Sequence, residues 1–362
     1  MTADLTIALA QLNPTVGDVA GNLALIRAAR RKAARASDIV VTGELAVSGY
    51  PPEDLVLKPA FLEMIETEVN QLASETADGG PALLIGAPWR ENGHLYNAVL
   101  LLENGVISTK RFKHLLPTYG VFDEDRVFSR GPIPGPVPFN GVRLGIMICE
   151  DMWREDVAEG LQESGAELLL VMNGSPFEVD KPDQRMNLAA ARVGECDLPL
   201  AYVNLVGGQD ELVFDGRSFV LNRDRALKAQ AKAWEPQLLI TKWSNGGDGW
   251  TCADGDIAPG PAADDDRLHA VYRAMVLGLR DYVGKNRFPG VIMGLSGGID
   301  SALSAAVAVD AIGPDKVHCV MMPSPYTSQE SLEDAAEAAD LLGITYDSIP
   351  IQGAMTAFDT ML

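Results

Sequence analysis

The chain has 362 residues, of which 47% are hydrophobic, 22% charged and 6% aromatic. That composition excludes a disordered, collagen-like or disulfide-scaffold polypeptide and leaves room for two domains with ordinary cores. Lys and Arg number 29 against 50 Asp and Glu, a net charge of −21 that repels a phosphate backbone but not a small nucleotide held by local amides.

Four cysteines, at 149, 196, 252 and 319, are too scattered for a CxxC metal site. No apolar run approaches the ~18–20 residues that span a bilayer, and the first residues carry no basic segment leading into an apolar one. The expectation is a soluble, cytoplasmic protein with neither a membrane nor a nucleic-acid partner.

In chain order, LTIALA (5–10) reads as a strand followed by a turn at Asn13-Pro14. Asp18 then caps a helix to about Ala36, with Val19, Leu23, Ile26 and Ala33 on one face. Arg27, Arg30, Arg31, Lys32 and Arg35 crowd its C-terminal half, where a solvated face and the helix dipole account for them. A strand over 39–43, a helix over 59–75 and strands over 82–88 and 97–105 follow. VRLGIMI (142–148) is the most apolar strand of this half and stops at Cys149; similar strands lie at 167–174 and 200–207, with a helix over 183–195 between them. Strands alternating with helices predict an α/β layered domain over 1–243, with its chemistry at the strand ends.

Residues 244–266 are dominated by Gly, Asp and Pro and predict a linker. Over 267–362 come a helix, strands at 291–295, 317–322 and 344–350, and helices between them to about 311 and over 329–342. This βαβαβ run predicts the first part of a doubly wound parallel sheet.

A cysteine ending a buried strand can face a pocket as a nucleophile, although a lone cysteine is more often a structural thiol. Acyl transfer would need a cation to lower the thiol pKa and a carboxylate to move protons. Lys113 in KRFKHLLPTYGVFDE and Glu44 in GELAVSGYPPEDL are candidates, each in a loop after a strand, but spacing alone cannot bring 44, 113 and 149 together. His114 is a rival activator on residue type.

The segments GELAVSGYPPEDL, KHLLPTYGVFDE and GIMICEDMW resemble, in order and spacing, the three catalytic blocks of the nitrilase or carbon–nitrogen hydrolase superfamily. More narrowly, residues 5–240 resemble the glutaminase domain of glutamine-dependent NAD synthetases. The resemblance implies an αββα sandwich that pairs with a second copy, hence a homo-oligomer. It makes Cys149 the nucleophile, Glu44 the general base and Lys113 the cation that steadies the thiolate and the oxyanion. It further implies Tyr119, Ser175 and Lys181 as contacts for substrate glutamine, matches Glu124 to an extra glutamate beside the triad, and leaves His114 without a role.

In VIMGLSGGIDSALS an apolar strand ends in Ser296-Gly297-Gly298 and a helix begins near Asp300-Ser301. The glycines let the backbone approach an anion, the helix N-terminus adds partial positive charge, and Ser296 and Ser301 add hydroxyls. A Gly-rich turn capping an ordinary helix is the plainer reading, and the pattern is not a Walker loop. SGGIDS resembles the pyrophosphate loop of enzymes that cleave ATP between its α and β phosphates, which implies that Gly294, Leu295, Ser296, Gly297, Gly298, Ile299, Asp300 and Ser301 bind ATP. Asp300 is a candidate for holding Mg2+ on the pyrophosphate. MMPSPYTSQESLEDA is similar to a stretch of NAD synthetases in particular.

Together the resemblances imply that ammonia from glutamine attacks ATP-adenylated deamido-NAD, giving NAD, AMP, pyrophosphate and glutamate, with ATP as substrate and no tightly bound organic cofactor. The resembled synthetase domain is longer than the stretch from Asp264 to Leu362. The expectation is therefore a truncated ATP-binding part, in a chain that hydrolyses glutamine but makes little NAD. The alternative is a stand-alone carbon–nitrogen amidase whose C-terminal half is regulatory or structural.

Overall fold

The computed structural model describes residues 3–34, 36–258 and 267–362. The chain divides into two units, Met1–Asp264 and Asp265–Leu362.

The first unit begins with β1 (Ala3–Gln11), α1 (Val19–Ala33), β2 (Ile39–Thr42), α2 (Pro59–Glu75), β3 (Ala82–Glu91), β4 (His94–Glu103) and β5 (Val106–Phe112). It continues with β6 (Val137–Phe139), β7 (Val142–Ile148), α3 (Glu155–Glu163), β8 (Leu168–Asn173), α4 (Lys181–Cys196) and β9 (Leu200–Asn204). Six further strands close it: β10 (Val206–Gln209), β11 (Leu212–Asp215), β12 (Phe219–Leu221), β13 (Leu227–Gln230), β14 (Gln237–Asn245) and β15 (Trp250–Cys252). Two sheets result, ordered β15-β14-β1-β2-β3-β4-β5 and β13-β12-β9-β8-β7-β6, beside a small β10-β11 ribbon.

Each central strand is buried on both faces, which is why it reads as a continuous apolar run rather than an alternating one. Leu5, Ile7 and Leu9 of β1 meet Ile146, Ile148, Leu170 and Met172 of the opposite sheet in the interior between sheets. Ala8 and Ala10 of the same strand turn the other way, toward Leu23 and Ile26 of α1 and Ile65 and Val69 of α2. On the far side, Met147, Leu169 and Val171 pack under Val157 and Leu161 of α3 and Ala189 and Val193 of α4. The period-2 alternation of side chains thus builds an αββα sandwich.

Arg27 and Arg30 of α1 do not form a solvated face. Arg27 pairs with Glu75 at 2.8 Å, and Arg30 is buried against the Pro81 carbonyl and pairs with Asp78 at 2.6 Å. Charges that complement the helix dipole here also tie α1 to the last residue of α2 and the segment after it.

The segment expected to be a linker from residue 244 begins as sheet. Residues 244–245 end β14, and β15 pairs with β14 from Trp243↔Cys252 to Asn245↔Trp250. The buried Trp250 and Cys252 anchor a stretch whose Gly and Asp content suggested a loop. Of the rest of that expected linker, 253–258 hydrogen-bond back to β13 and β14, and 259–266 lie outside the described residues.

The second unit has α5 (Arg267–Lys285), β16 (Val291–Gly294), α6 (Ile299–Ile312), β17 (Val317–Met321), α7 (Gln329–Leu342), β18 (Thr345–Ser348) and α8 (Gln352–Met361). Its three strands are parallel in the order β16-β17-β18, over a core of Leu295, Ala305, Ala308, Cys319, Met321 and Ala335. No helix among the described residues is long and apolar enough to cross a membrane.

Candidate active site

Glu44 lies two residues beyond β2, in a turn pressed against β3. Gly86 permits the approach, because a Cβ there would stand 2.4 Å from the Leu45 nitrogen. The Glu44 N–H donates to the Asn173 carbonyl at 3.2 Å, tying the turn to the end of β8 in the other sheet. Lys113 directly follows β5; its N–H donates to the Asn97 carbonyl of β4 at 2.9 Å, and its own carbonyl accepts from Gly131 at 2.8 Å. Cys149 is the first residue beyond β7, in the left-handed region at φ 46°, and opens a helical turn over Cys149–Met152. That conformation strains a residue with a side chain, and such residues collect at functional sites.

The ends of several strands therefore converge on one buried polar cluster. Lys113 Nζ donates to Glu44 Oε1 at 2.7 Å and to Glu124 Oε1 at 2.9 Å, with Lys113 and Glu44 both 0% exposed. Glu44 Oε1 also accepts from Asn97 Nδ2 at 2.7 Å, and Glu44 Oε2 from the Gly174 N–H at 2.9 Å. Tyr50 donates its hydroxyl to Glu124 Oε1 at 2.9 Å.

Two carboxylates face one cation, and this decides the charge states. Burial alone would push Lys113 down, but Glu124 and Glu44 beside it hold its pKa well above the usual value, so it is an ammonium. Burial raises Glu124 and the nearby Glu44 carboxylate adds to this, while Lys113 opposes both. Burial also pushes the Cys149 thiol well above its ordinary pKa, and Glu44 pushes it further than Lys113 pulls it back. Burial and Glu44 thus work against the expected lowering of the thiol pKa by a cation: the Lys113 charge is shared by two carboxylates, and a thiolate would add negative charge to a dry site. An arrangement of this kind moves the thiol proton to a carboxylate as attack occurs.

Tyr119 and Lys181 both reach the turn that Cys149 opens. The Tyr119 hydroxyl donates to Glu150 Oε2 at 2.8 Å, and Lys181 Nζ sits 4.5 Å from the Trp153 ring centre and 3.6 Å from Glu178 Oε1. Ser175 is placed differently. It is buried, its N–H donates to Asn204 Oδ1 at 3.0 Å, and its Oγ accepts from Arg185 Nε at 3.0 Å, inside the ion pair of Arg185 with Asp215. His114 Nδ1 contacts the Gly131 carbonyl at 2.8 Å, and the His114 N–H donates to Asp151.

Sequence reasoning missed Asn97, Tyr50, Gly174 and Arg185 as parts of this neighbourhood. Only Tyr50, inside GELAVSGYPPEDL, and Gly174, next to Ser175, carried a signal; Asn97 opens the run NAVLLLENG and looks like an edge residue.

In the second unit, Leu295 is buried and its N–H donates to the Val320 carbonyl at 3.0 Å, fixing the loop after Gly294 to β17. Gly297 is left-handed at φ 79°, and a Cβ there would meet the Ser331 carbonyl oxygen at 2.3 Å, so only glycine fits between the loop and α7. Ser301 Oγ accepts from the Ser296 N–H at 3.2 Å and donates to the Gly298 carbonyl at 2.9 Å. The hydroxyls expected as anion donors thus hold the loop in shape. Gly298 is the N-cap of α6, with Ile299, Asp300 and Ser301 exposed or half-exposed in its first turn. No group of three His, Cys, Asp or Glu side chains able to hold a metal occurs among the described residues. Asp300 offers one carboxylate, a donor set that fits Mg2+ only when phosphate oxygens and waters supply the other ligands.

Family models match in two places: carbon–nitrogen hydrolase over residues 6–245 and NAD synthase over residues 271–362. The glutamine-dependent NAD(+) synthetase of Rhodobacter capsulatus is 46% identical over 365 residues, which cover 100% of this chain and 65% of that protein. The chain therefore spans just under two-thirds of that relative's length. The glutamine-dependent NAD+ synthetase of Acinetobacter baumannii, solved in complex with ADP, superposes with a TM-score of 0.92 at 37% identity, covering 99% of this chain and 67% of that one. An amidase from Nesterenkonia sp. AN1, solved with acrylamide, matches at TM-score 0.59 and 25% identity over 68% of this chain and 92% of its own.

Proposed function

The chain belongs to the carbon–nitrogen hydrolase family, alongside the glutamine-dependent NAD(+) synthetases, and from that premise we propose that its first unit releases ammonia from glutamine and its second binds ATP for NAD synthesis. The observation that carries the reading is the buried Glu44–Lys113 contact of 2.7 Å at the strand ends where Cys149 emerges.

Cys149 Sγ attacks the side-chain amide carbon of glutamine while Glu44 takes the thiol proton. Lys113 stabilises the oxyanion that forms, a role that electrostatic preorganisation in a dry site favours. Collapse breaks the C–N bond, and the proton held by Glu44 leaves with the nitrogen as ammonia. Water then attacks the thioester with Glu44 again as base, releasing glutamate and restoring the thiol. Glutamine differs from a simple amide by its α-ammonium and α-carboxylate. Glu150, held by Tyr119, supplies a negative charge for the first, and Lys181, over Trp153, a positive one for the second. Ser175 contributes through its backbone placement, since its hydroxyl is engaged by Arg185.

In the second unit the backbone of Gly294–Ser301 and the N-terminus of α6 receive the ATP phosphates, with Asp300 beside the Mg2+ that accompanies them. The acceptor is deamido-NAD, whose adenylated carboxylate ammonia attacks. The reading places the protein in the cytoplasm as a homo-oligomer joined through the first unit.

Glutamine hydrolysis, followed as glutamate formation, tests the reading directly. The chain should produce glutamate, and Cys149→Ala should lower the rate at least about 10⁴-fold without loss of fold. A Cys149→Ala variant that still consumed glutamine would overturn it. A simple aliphatic amide turned over faster than glutamine would favour the stand-alone amidase instead.

A further inference from the structure

Asn97 sits in the middle of β4, 1% exposed, and touches three members of the charged cluster at once. Its Nδ2 donates to Glu44 Oε1 at 2.7 Å and to Glu124 Oε2 at 3.4 Å, and its backbone carbonyl accepts the Lys113 N–H at 2.9 Å. The amide orientation is forced, because the atom facing two carboxylate oxygens must be the donor. Its other end has no such role: Asn97 Oδ1 is buried with no hydrogen-bond partner among the described residues. A buried acceptor left unmatched opposes folding, so stability does not account for an amide at this position.

We infer that Asn97 is a positioning residue for the hydrolytic site: it holds Glu44 and Glu124 in one fixed orientation around Lys113. This rests on the reading of the first unit as an amide hydrolase. Two glutamates of like charge repel, and each can swing about its own side-chain torsions. Lys113 attracts both but, as an ammonium on a flexible stem, does not select a carboxylate orientation. The planar Asn97 amide does, since it bonds one oxygen of Glu44 and so leaves Oε2 directed at the Gly174 N–H. Glu44 is then held for taking the Cys149 proton, and Lys113 is aimed by a strand that Asn97 itself belongs to.

Two near-isosteric variants separate this role from packing. Asn97→Leu removes the donor and the unmatched acceptor together, and Asn97→Asp keeps the shape but replaces the donor with an oxygen. Both should lower kcat for glutamine about 10²-fold, the scale on which mispositioned groups lose rate, with KM changed less than about threefold. Asn97→Leu should do so with a Tm no lower than the parent's, a split that a packing residue would not produce. Either variant keeping kcat within about threefold, or losing rate only in proportion to folded protein, would overturn the inference. If the parent chain proves not to use glutamine at all, the functional reading fails separately. The inference is then read from iodoacetamide alkylation of Cys149 by intact mass, which needs no natural substrate and should slow at least about tenfold in Asn97→Leu. An unchanged alkylation rate would equally overturn it.

Discussion

At the scale of single residues, the site is governed by a charge imbalance. One ammonium, Lys113, lies between two buried carboxylates, Glu44 and Glu124, and burial with Glu44 pushes the pKa of the Cys149 thiol up. The sign of the pH effect follows: a group whose pKa is raised loses its proton only when the solution is more alkaline than its ordinary value. The difference in ultraviolet thiolate absorbance between the parent chain and Cys149→Ala should therefore be absent at neutral pH and emerge only above about pH 8.5. A thiolate signal already complete at pH 7 would restore the picture of a lysine-activated resting thiolate. Glu44, Lys113, Cys149 and the extra Glu124 could be singled out from residue type and motif, whereas their charge environment could not, because the distances among them and the contact of Asn97 with both glutamates arise only in the fold.

At the scale of elements, the sandwich is built from strands whose two faces serve different layers. Ile7 and Leu9 point into the space between sheets while Ala8 points toward α1 and α2. The long apolar strands were legible for that reason. The short strands β10 to β15 were not: each has three or four residues apart from β14, too few for a periodic signal, and β14 takes its place in the sheet from a distant partner, β1, paired from Ala3↔Asn245 to Gln11↔Gln237. Local propensity carries little information about such ladders.

The Arg185–Asp215 pair joins α4 to β11 at 2.6 Å, with both side chains buried and Arg185 also holding the Ser175 and Pro176 carbonyls. Asp215→Ala should destabilise the first unit by about 3–5 kcal/mol, because it strands a buried guanidinium. Chemical denaturation measures this, and a change below about 1 kcal/mol would mean that the carbonyls alone satisfy Arg185.

For the molecule as a whole, each of the two units has a hydrophobic interior of its own. A net charge of −21 is compatible with the proposed nucleotide site, because the amides of the loop after β16 would act at contact distance while the surface charges act through screening water. ADP at 100 times its Kd should stabilise the second unit by about 2.7 kcal/mol. In Gly297→Ala that stabilisation should disappear, since the added Cβ collides with the Ser331 carbonyl in a left-handed backbone. Full ADP stabilisation of the variant, followed as the shift in Tm, would show that the loop does not carry the phosphates.

The amino-acid sequence alone determined the long apolar strands and the helices between them, the two-unit division in outline, and the residue types proposed for acid–base and phosphate chemistry. These are encoded locally, in apolar periodicity, capping and short motifs. Only the tertiary structure decided that Ser175 turns into the Arg185 ion pair, that residues 244–252 finish a sheet, that burial and Glu44 push the Cys149 thiol pKa up, and that Asn97 stands between two glutamates. Each of those depends on which distant groups share a small dry volume. Electrostatics and hydrogen-bond satisfaction there are set by distance and burial, which no local pattern records.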